Sequence, residues 1–225
     1  MMLNLEGTGI PDKEQHWQNL ILSTEQCAEI EHNTKDQSSS ARWIAERKGR
    51  ITASNFGSIK NRKKEINETF IRNVFDKKSF KSAPTSYGQA NEKTAKQMYI
   101  KSSGNHIHDV GLVVNPLFPF LGATPDAKIC EKSVTGILEI KCPYSARDST
   151  LQEACENNAF FLEISGSKYT LKRSHSHWFQ VQGQLLITGA PFCDFVTFTR
   201  QEINVERIYP CNDTMLSLLK KMSDV

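Results

Sequence analysis

A charged pair interrupts an otherwise apolar stretch in Gly136-Ile-Leu-Glu-Ile-Lys-Cys-Pro143. Because side chains alternate across a β-strand, Glu139 and Lys141 share one face while Leu138 and Ile140 share the other. A strand that buries a charge must compensate it with a partner or a metal ion. The stretch therefore predicts a strand that carries a polar site, although an isolated E-x-K triplet is more often a surface ion pair.

A second carboxylate, Asp126, precedes Glu139 by thirteen positions and follows the turn-forming residues Gly122 to Pro125. A hairpin of that length brings the two carboxylates together, and they repel each other unless a cation lies between them. Magnesium fits that place, because it accepts carboxylate, carbonyl and phosphate oxygens. Such an ion polarises a phosphate oxygen and activates water, while Lys141 orients the water or counters transition-state charge. The three residues predict metal-dependent phosphodiester hydrolysis.

The composition is that of an ordinary soluble globular protein, with 38% hydrophobic and 24% charged residues in 225. The length fits one domain with a substantial core. The longest apolar runs are too short to span a bilayer, and the first ten residues lack the pattern of a secretory signal. Six cysteines without a C-x-x-C pair are typical of reduced thiols in an intracellular protein, in nucleus or cytoplasm.

The net charge of +3 is unevenly distributed. Residues 1–36 carry seven acidic side chains and two lysines, whereas residues 42–64 carry eight basic side chains and one acid. Such a run is compatible with a solvated basic face. It is equally compatible with a surface for a polyanion, because neutralising phosphates releases counterions and drives nucleic-acid binding.

Periodicity and turn residues predict helices and strands in a mixed order. A possible capping box, Ser23 with Gln26, lies within the first helix. Helices are predicted at 12–35, 52–60, 65–77, 86–101, 149–158, 176–188 and from 212. Strands are predicted at 110–114, 126–130, 136–141, 193–199 and 203–208, with a hairpin in 160–173 and turns at 115–116 and 118–119. The order indicates one α/β domain, a central mixed β-sheet flanked by helices.

Five separated motifs occur in a fixed order along the chain. They are R-x-x-R-I-T-A-S (47–54), G-x-x-x-E (88–92), T-P-D (124–126), L-E-I-K-C-P (138–143) and Q-V-Q (180–182). The spacing D-x12-E-x-K resembles the signature of the PD-(D/E)-x-K nuclease superfamily. All five together resemble the YqaJ viral recombinase family, which includes the phage lambda exonuclease, over residues 43–199. The resemblance implies a nuclease domain at 41–225, preceded by a helical extension and linker at 1–40.

The resemblance also assigns roles to single residues. It implies that Asp126, Glu139, the backbone carbonyl of Ile140 and Glu92 hold magnesium, with two ions bound and manganese able to substitute. Lys141 is then catalytic, and Gln180 reaches the site from a later helix. Taken alone, Glu92 would more often be a solvated helix residue. On the later helix His177, Gln180 and Gln184 share one face and Gln182 points elsewhere; a polar exposed stripe is the alternative.

In the family, residues of the R-I-T-A-S motif bind the 5′ phosphate of a DNA end. The matching residues are Arg47 and Ser54, with Arg50 and Thr52 close by. A helix that starts near Thr52 presents unpaired N–H groups and a positive dipole end, and arginine adds bidentate contacts. The alternative, that Thr52 or Ser54 merely caps the helix, leaves the cationic run unexplained.

The expected activity is digestion of one strand of linear duplex DNA from its 5′ end, with release of 5′-mononucleotides and a remaining 3′ overhang. By resemblance the enzyme forms a ring of three and works with a single-strand annealing or recombinase protein. Two alternatives remain: an endonuclease or repair nuclease of the same superfamily, and a catalytically silent DNA-binding domain. Among other candidates, His175-x-His177 is interpreted as a polar helix start and not a metal site. Cys142 is expected to pack under the strand end, and Trp43 and Trp178 are interpreted as core or domain-packing residues and not as platforms for base stacking.

Overall fold

A computed structural model describes residues 20–75, 82–223 and 225. The helices are α1 (Thr24–Asn33), α2 (Ala41–Arg47), α3 (Ala53–Lys60), α4 (Glu68–Phe75), α5 (Ala83–Ser103), α6 (Leu151–Glu156), α7 (Ser176–Thr188) and α8 (Asn212–Ser223). The strands are β1 (Ile51–Thr52), β2 (His106–His108), β3 (Val113–Asn115), β4 (Phe118–Ala123), β5 (Ala127–Glu131), β6 (Val134–Lys141), β7 (Leu162–Ser165), β8 (Lys168–Leu171), β9 (Cys193–Phe198) and β10 (Ile203–Ile208). In this part of the chain no helix is long and apolar enough to cross a membrane.

Local sequence signals set the ends of the helices. The Ser23 hydroxyl accepts from the Gln26 N–H and the Gln26 side chain accepts from the Ser23 N–H, so the predicted capping box starts α1. Ser82 caps α5, which ends at Gly104 in the left-handed conformation, with φ of 68°. Helix α5 therefore extends beyond the predicted 86–101 at both ends, and α7 has the predicted limits.

The main sheet has five strands in the order β10-β9-β6-β5-β2. Strands β5 and β6 form an antiparallel hairpin in which Ala127 pairs with Leu138. Strand β6 runs parallel to β9, where Glu139 pairs with Phe195, and the remaining pairs are antiparallel. This confirms the predicted α/β fold with a central mixed sheet flanked by helices, and it places β6 in the middle of the sheet.

Both faces of β6 are covered. Ala95 and Tyr99 of α5 belong to one core cluster with Leu138 and Ile140. On the opposite face, α7 packs in a cluster that contains Ile137. The alternation predicted for this strand is confirmed, since Leu138 and Ile140 share the α5 side. Glu139, on the α7 side, is only 3% exposed, so its charge must be satisfied inside the protein.

A second sheet, in the order β1-β4-β3, corrects one prediction. Phe118 and Pro119 were expected in a turn, but they begin β4. Proline lacks an N–H donor and is tolerated where no ladder bond is required. That condition holds here, because Pro119 is in register with neither neighbour: β1 pairs with Leu121 and Gly122, and β3 pairs with Phe118 and Ala123. The short elements α2, β1 and β2 were also not predicted, since two to seven residues carry little periodicity.

The N-terminal helix belongs to the same folded body. Cys27 and Ile30 of α1 share a buried cluster with Leu112 and Val114 around β3. The amide of Gln37 then donates to two backbone carbonyls, those of residues 110 and 125, at 3.0 and 3.2 Å. The linker therefore holds the residue directly before Asp126. Residues 20–23 of the predicted first helix are not helical, because Ser23 caps the helix at Thr24. Residues 12–19 of that prediction and residues 76–77 of the third helix lie outside the described part.

Helices α3 and α7 pack closely through a glycine. A Cβ atom built on Gly57 would lie 2.6 Å from the Cα atom of Ser176, the first residue of α7. We expect Gly57→Ala to lower the free energy of unfolding by about 1–3 kcal/mol, because backbone rather than a flexible side chain must move. Urea denaturation measures the change.

The matched control is Gly88→Ala, since a Cβ on Gly88 of α5 meets no atom within 4 Å. This substitution should leave stability unchanged or raise it by up to about 1 kcal/mol through helix propensity. Equal stability of the Gly57→Ala variant and the wild type would contradict the close α3–α7 contact.

Candidate active site

The β5–β6 hairpin fixes the position of Asp126. The Asp126 N–H donates to the Leu138 carbonyl at 2.9 Å, and its Oδ2 atom accepts from the Ile140 N–H at 2.6 Å. These two contacts hold the carboxylate beside the last residues of β6. The juxtaposition expected from the thirteen-residue spacing with Glu139 is therefore present.

The buried Glu139 carboxylate is surrounded by hydrogen-bond donors. Its Oε1 atom accepts from Lys141 Nζ and from Gln180 Nε2, each at 2.6 Å. Its Oε2 atom accepts from Gln184 Nε2 at 2.7 Å. Gln180 Oε1 in turn accepts from Lys141 Nζ at 3.1 Å, so these side chains form a connected network. The bond from the charged Lys141 ammonium is stronger than a neutral hydrogen bond, and the three donors together hold the carboxylate in place.

A cavity of about 280 Å³ opens at this network. It is lined by Gly88, Glu92, Asp126, Glu139, Ile140, Lys141 and Cys142. Glu92 and Gly88 come from α5, as the G-x-x-x-E motif implied, and Glu92 forms an ion pair with Lys96 at 2.9 Å. The cavity thus brings together three carboxylates and one lysine from β6, α5 and the residue that precedes β5.

Electrostatics at the cavity favour an added positive charge. Burial raises the pKa of Asp126 well above its ordinary value, and the Glu139 and Glu92 carboxylates raise it further. Burial alone would lower the pKa of Lys141, but Glu139 and Asp126 outweigh it and the pKa is raised. Lys141 is therefore a cation at neutral pH. Because these carboxylates repel one another, a cation bound between them would lower the free energy of their charged forms.

The donor chemistry fits a hard divalent ion. Asp126 and Glu139 offer carboxylate oxygens, Ile140 offers a carbonyl, and Glu92 faces the same cavity. Within residues 20–75, 82–223 and 225, no three His, Cys, Asp or Glu side chains are already grouped as a metal site. The carboxylates are instead held by protein donors. An ion would therefore replace part of these contacts and draw the carboxylates together.

Arg47 is the last residue of α2 and the first residue of the R-x-x-R-I-T-A-S motif, and its side chain is half-buried. Its guanidinium lies 4.0 Å from the ring centroid of Trp43, and its Nη2 atom donates to Thr52 Oγ1 at 3.5 Å. Burial lowers the pKa of Arg47 to about 10, so it stays charged at neutral pH. Among the described residues no carboxylate pairs with it. The exposed Ser54 hydroxyl lies 3.1 Å from Thr52 Oγ1.

The other two residues of the expected phosphate site differ from this pair. Arg50 is 4% exposed, and its guanidinium donates to the Pro119 carbonyl at 3.0 Å and to the Glu46 carboxylate at 3.0 Å. Those bonds connect α2 to β4, so the Arg50 guanidinium is engaged within the protein and stabilises the fold. Thr52 precedes α3 as its N-cap residue, yet its side chain makes no capping bond. Its hydroxyl instead contacts Arg47 and Ser54, so simple capping does not account for it.

Trp43 contacts both Arg47 and the segment that leads to Asp126. Its Nε1 atom donates to Thr124 Oγ1 at 3.1 Å, and Thr124 lies two positions before Asp126. The ring that supports Arg47 is therefore hydrogen-bonded to the segment that carries Asp126. The interpretation of Trp43 and Trp178 as packing residues agrees with their places, since Trp178 is buried in the core.

His175, Cys142 and Gln182 have the structural places that the sequence indicated. His175 is the N-cap residue of α7, and its Nδ1 atom accepts from the His177 N–H at 3.1 Å. Cys142 is half-buried at the end of β6, and burial raises its pKa to about 12. Gln182 points away from the site toward Tyr209. The contact between Gln184 and Glu139 was not predicted, although Gln184 lies four positions after Gln180 on the same helix face.

A second cavity, of about 360 Å³, lies elsewhere. Its charged lining residues satisfy one another, since Arg207 binds Asp194 and Glu131 at 2.7 Å each. Tyr99 donates to the same aspartate at 2.6 Å. This pocket is larger, but its charges are already paired, and the chemistry expected from the sequence lies in the smaller one.

The fold and the site together define a PD-(D/E)-x-K nuclease core. Residues 42–191 match the YqaJ-like viral recombinase domain, which is more than half of the 225-residue chain. The chain therefore belongs to the YqaJ-like viral recombinase domain family, as the five motifs indicated. With the carboxylate and lysine site, this membership supports a nuclease of the recombinase family. No curated protein matches the sequence.

Solved structures of exonucleases share the fold. The alkaline exonuclease LHK-Exo of Laribacter hongkongensis, solved with dAMP, is 22% identical with a TM-score of 0.64, over 82% of this chain and 90% of that one. The SOX protein of Kaposi's sarcoma-associated herpesvirus, solved with DNA, is 15% identical with a TM-score of 0.60, over 89% and 69%. A phage-related exonuclease from Haemophilus somnus is 15% identical with a TM-score of 0.53, over 77% and 90%. At these identities the likeness shows the fold.

His177 should make the protein acid-sensitive. Burial, with Lys141 and His175 nearby, lowers its pKa to about 2, whereas in the unfolded chain it protonates near pH 6.5. Because the unfolded state binds the proton first, the free energy of unfolding falls as pH drops below that value. The expected loss is about 2 kcal/mol between neutral pH and pH 5.

The variant His177→Phe keeps an aromatic ring against Phe161 and Phe195 and should remove this loss. Urea denaturation at several pH values measures it. The same substitution at exposed His106 is the control and should retain wild-type acid sensitivity. If His177→Phe loses stability with acid as steeply as the wild type, His177 is not the group responsible.

Proposed function

We propose that this chain is a magnesium-dependent deoxyribonuclease that degrades one strand of linear double-stranded DNA from its 5′ end. It would release 5′-mononucleotides and leave 3′ overhangs for recombination. The observation that carries the proposal is the convergence of Asp126, Glu139, Glu92 and Lys141 on one cavity. The family membership and the structures of LHK-Exo with dAMP and SOX with DNA support nucleic acid as the substrate.

Asp126, Glu139, the Ile140 carbonyl and Glu92 would hold two Mg²⁺ ions, and Mn²⁺ would substitute. When bound, the ions supply Lewis-acid stabilisation of negative charge on the phosphate and on the leaving oxygen. Water attacks phosphorus, the bond to the 3′ oxygen breaks, and that oxygen takes up a proton.

Protonated Lys141 has two tasks in this proposal. It holds the Glu139 carboxylate through Nζ, and it stabilises charge that accumulates on the phosphate. Gln180 contacts both side chains and keeps their relative positions. A preorganised set of this kind avoids reorganisation at the moment of reaction.

The preference for a DNA end rests on Arg47 and Ser54. A half-buried guanidinium without an acidic partner among the described residues favours an anion, and a terminal phosphate offers bidentate oxygens. The exposed Ser54 hydroxyl and the first N–H groups of α3 are the neighbouring donors. A homotrimer and a single-strand annealing or recombinase partner extend the proposal on the strength of the family resemblance.

Digestion of linear duplexes labelled at either end of one strand tests the activity. With Mg²⁺ we expect early release of the 5′ label as a mononucleotide, late release of the 3′ label, and intact covalently closed circles. Lys141→Ala should lower the rate by about a hundredfold or more, because one charge-stabilising donor is lost. Lys128→Ala is the matched control, since that lysine lies on β5 and pairs with Glu31 outside the cavity.

Two results would reject the proposal. Rapid nicking of closed circles by the wild type indicates an endonuclease of the same superfamily. Binding of DNA without cleavage, by both the wild type and Lys141→Ala, indicates a catalytically silent DNA-binding domain.

Arg47→Ala should reduce the preference for 5′-phosphorylated over 5′-hydroxyl ends by about tenfold to a hundredfold, the value of hydrogen bonds to a charged group. Initial rates on the two kinds of end give the ratio. Arg42→Ala is the control, because Arg42 lies on the same helix but pairs with Glu29. An unchanged ratio in Arg47→Ala would show that Arg47 does not read the phosphate.

A further inference from the structure

Helix α7 carries two glutamines that are almost inaccessible to solvent, Gln182 at 0% and Gln184 at 1% exposure. They are two positions apart, so they point to different surroundings. Gln182 is fully satisfied: its amide donates to the Tyr209 carbonyl at 3.0 Å and accepts from the Cys211 N–H at 2.8 Å. It fastens α7 to the segment between β10 and α8.

Only one of the two polar atoms of the Gln184 side chain forms a hydrogen bond. Its Nε2 atom donates to Glu139 Oε2 at 2.7 Å, but its buried Oε1 atom has no hydrogen-bond partner in the described part of the chain. An unsatisfied buried acceptor costs free energy. Methionine would fill the same space without that cost. The amide at this position is therefore explained by its contact with the Glu139 carboxylate and not by packing.

The two oxygens of Glu139 are held from different sides. Lys141 and Gln180 contact Oε1, whereas Gln184 is the protein donor to Oε2 within the described residues. Two anchored oxygens fix the plane of the carboxylate. Because the Gln184 amide is neutral, it orients the carboxylate without cancelling the charge that a cation requires.

Gln184 is buried and is not among the residues that line the cavity, so the observed role of its amide is the contact with Glu139. Its own position is secured by the close packing of α7. A Cβ on Gly183 would lie 2.4 Å from the Phe56 ring, so α7 lies in direct contact with α3 at this position. The amide is thus presented to Glu139 from a rigid element.

We infer that Gln184 is a positioning residue that orients the Glu139 carboxylate for divalent-cation binding, an inference that rests on the proposed function. It acts through Glu139 and not on the reacting atoms. Partners that orient metal ligands in this way typically change metal affinity about 10- to 100-fold when they are removed.

The experiment compares Gln184→Met with Gln182→Met, which make the same change at equally buried positions of one helix. The first readout is the rise in melting temperature of the DNA-free protein as Mg²⁺ is added, and the second is the Mg²⁺ concentration for half-maximal cleavage. For Gln184→Met we expect both midpoints to rise by about tenfold or more. Gln182→Met should lower the melting temperature without Mg²⁺ and keep wild-type midpoints.

A shorter amide at position 184 and a double variant with Glu139→Gln test whether Gln184 acts through Glu139. Gln184→Asn retains an amide that is too short to reach Glu139 and should raise the Mg²⁺ midpoint as Gln184→Met does. In a Glu139→Gln background, Gln184→Met should cause no further change in the thermal Mg²⁺ midpoint. Equal midpoints for Gln184→Met, Gln182→Met and wild type would overturn the inference. If the wild type itself shows neither Mg²⁺-dependent stabilisation nor cleavage, the proposed function fails instead.

Discussion

The burial of the Glu139 carboxylate in the middle of the main sheet is the constraint on which the rest of this structure depends. A charge removed from water is tolerated only when hydrogen bonds and opposite charge replace its hydration. Three side chains do this here: Lys141 from the same strand, and Gln180 and Gln184 from α7. Removal of any of them leaves a buried anion with an incomplete set of donors.

That requirement explains why α7 lies so close to its neighbours. A helix can present two amides to a carboxylate only if its distance from the strand and its rotation are both fixed. Gly57 and Gly183 permit the approach of α3 to α7, because side chains at these positions would collide with Ser176 and Phe56. Helix α5 closes the other face and brings Glu92 to the cavity. The packing that stabilises the core therefore also sets the geometry of the site.

The proposed phosphate site and the carboxylate site are mechanically connected. Trp43 lies under the guanidinium of Arg47 and is bonded to Thr124, which precedes Asp126 by two positions. Gln37 donates a hydrogen bond to the Pro125 carbonyl. The segment before β5 is thus restrained at Thr124 and at Pro125 by residues that lie early in the chain. The distance between Arg47 and Asp126 is therefore set by these hydrogen bonds and by the stacking of Arg47 on Trp43.

The sequence alone determined the residues that share a strand or a helix face. The two-residue period placed Glu139 with Lys141, and the turn before Asp126 placed that aspartate opposite them; family motifs added Glu92, Gln180 and Arg47. Local periodicity controls the shared strand face of Glu139 and Lys141, and chain order controls the place of Asp126 before β5. Tertiary structure alone decided that Arg50 is committed to backbone and Glu46, that Phe118 and Pro119 begin a strand, and that Gln184 completes the shell around Glu139. The reason is physical: a donor finds its acceptor only when elements distant in sequence pack together, and no local pattern encodes that distance.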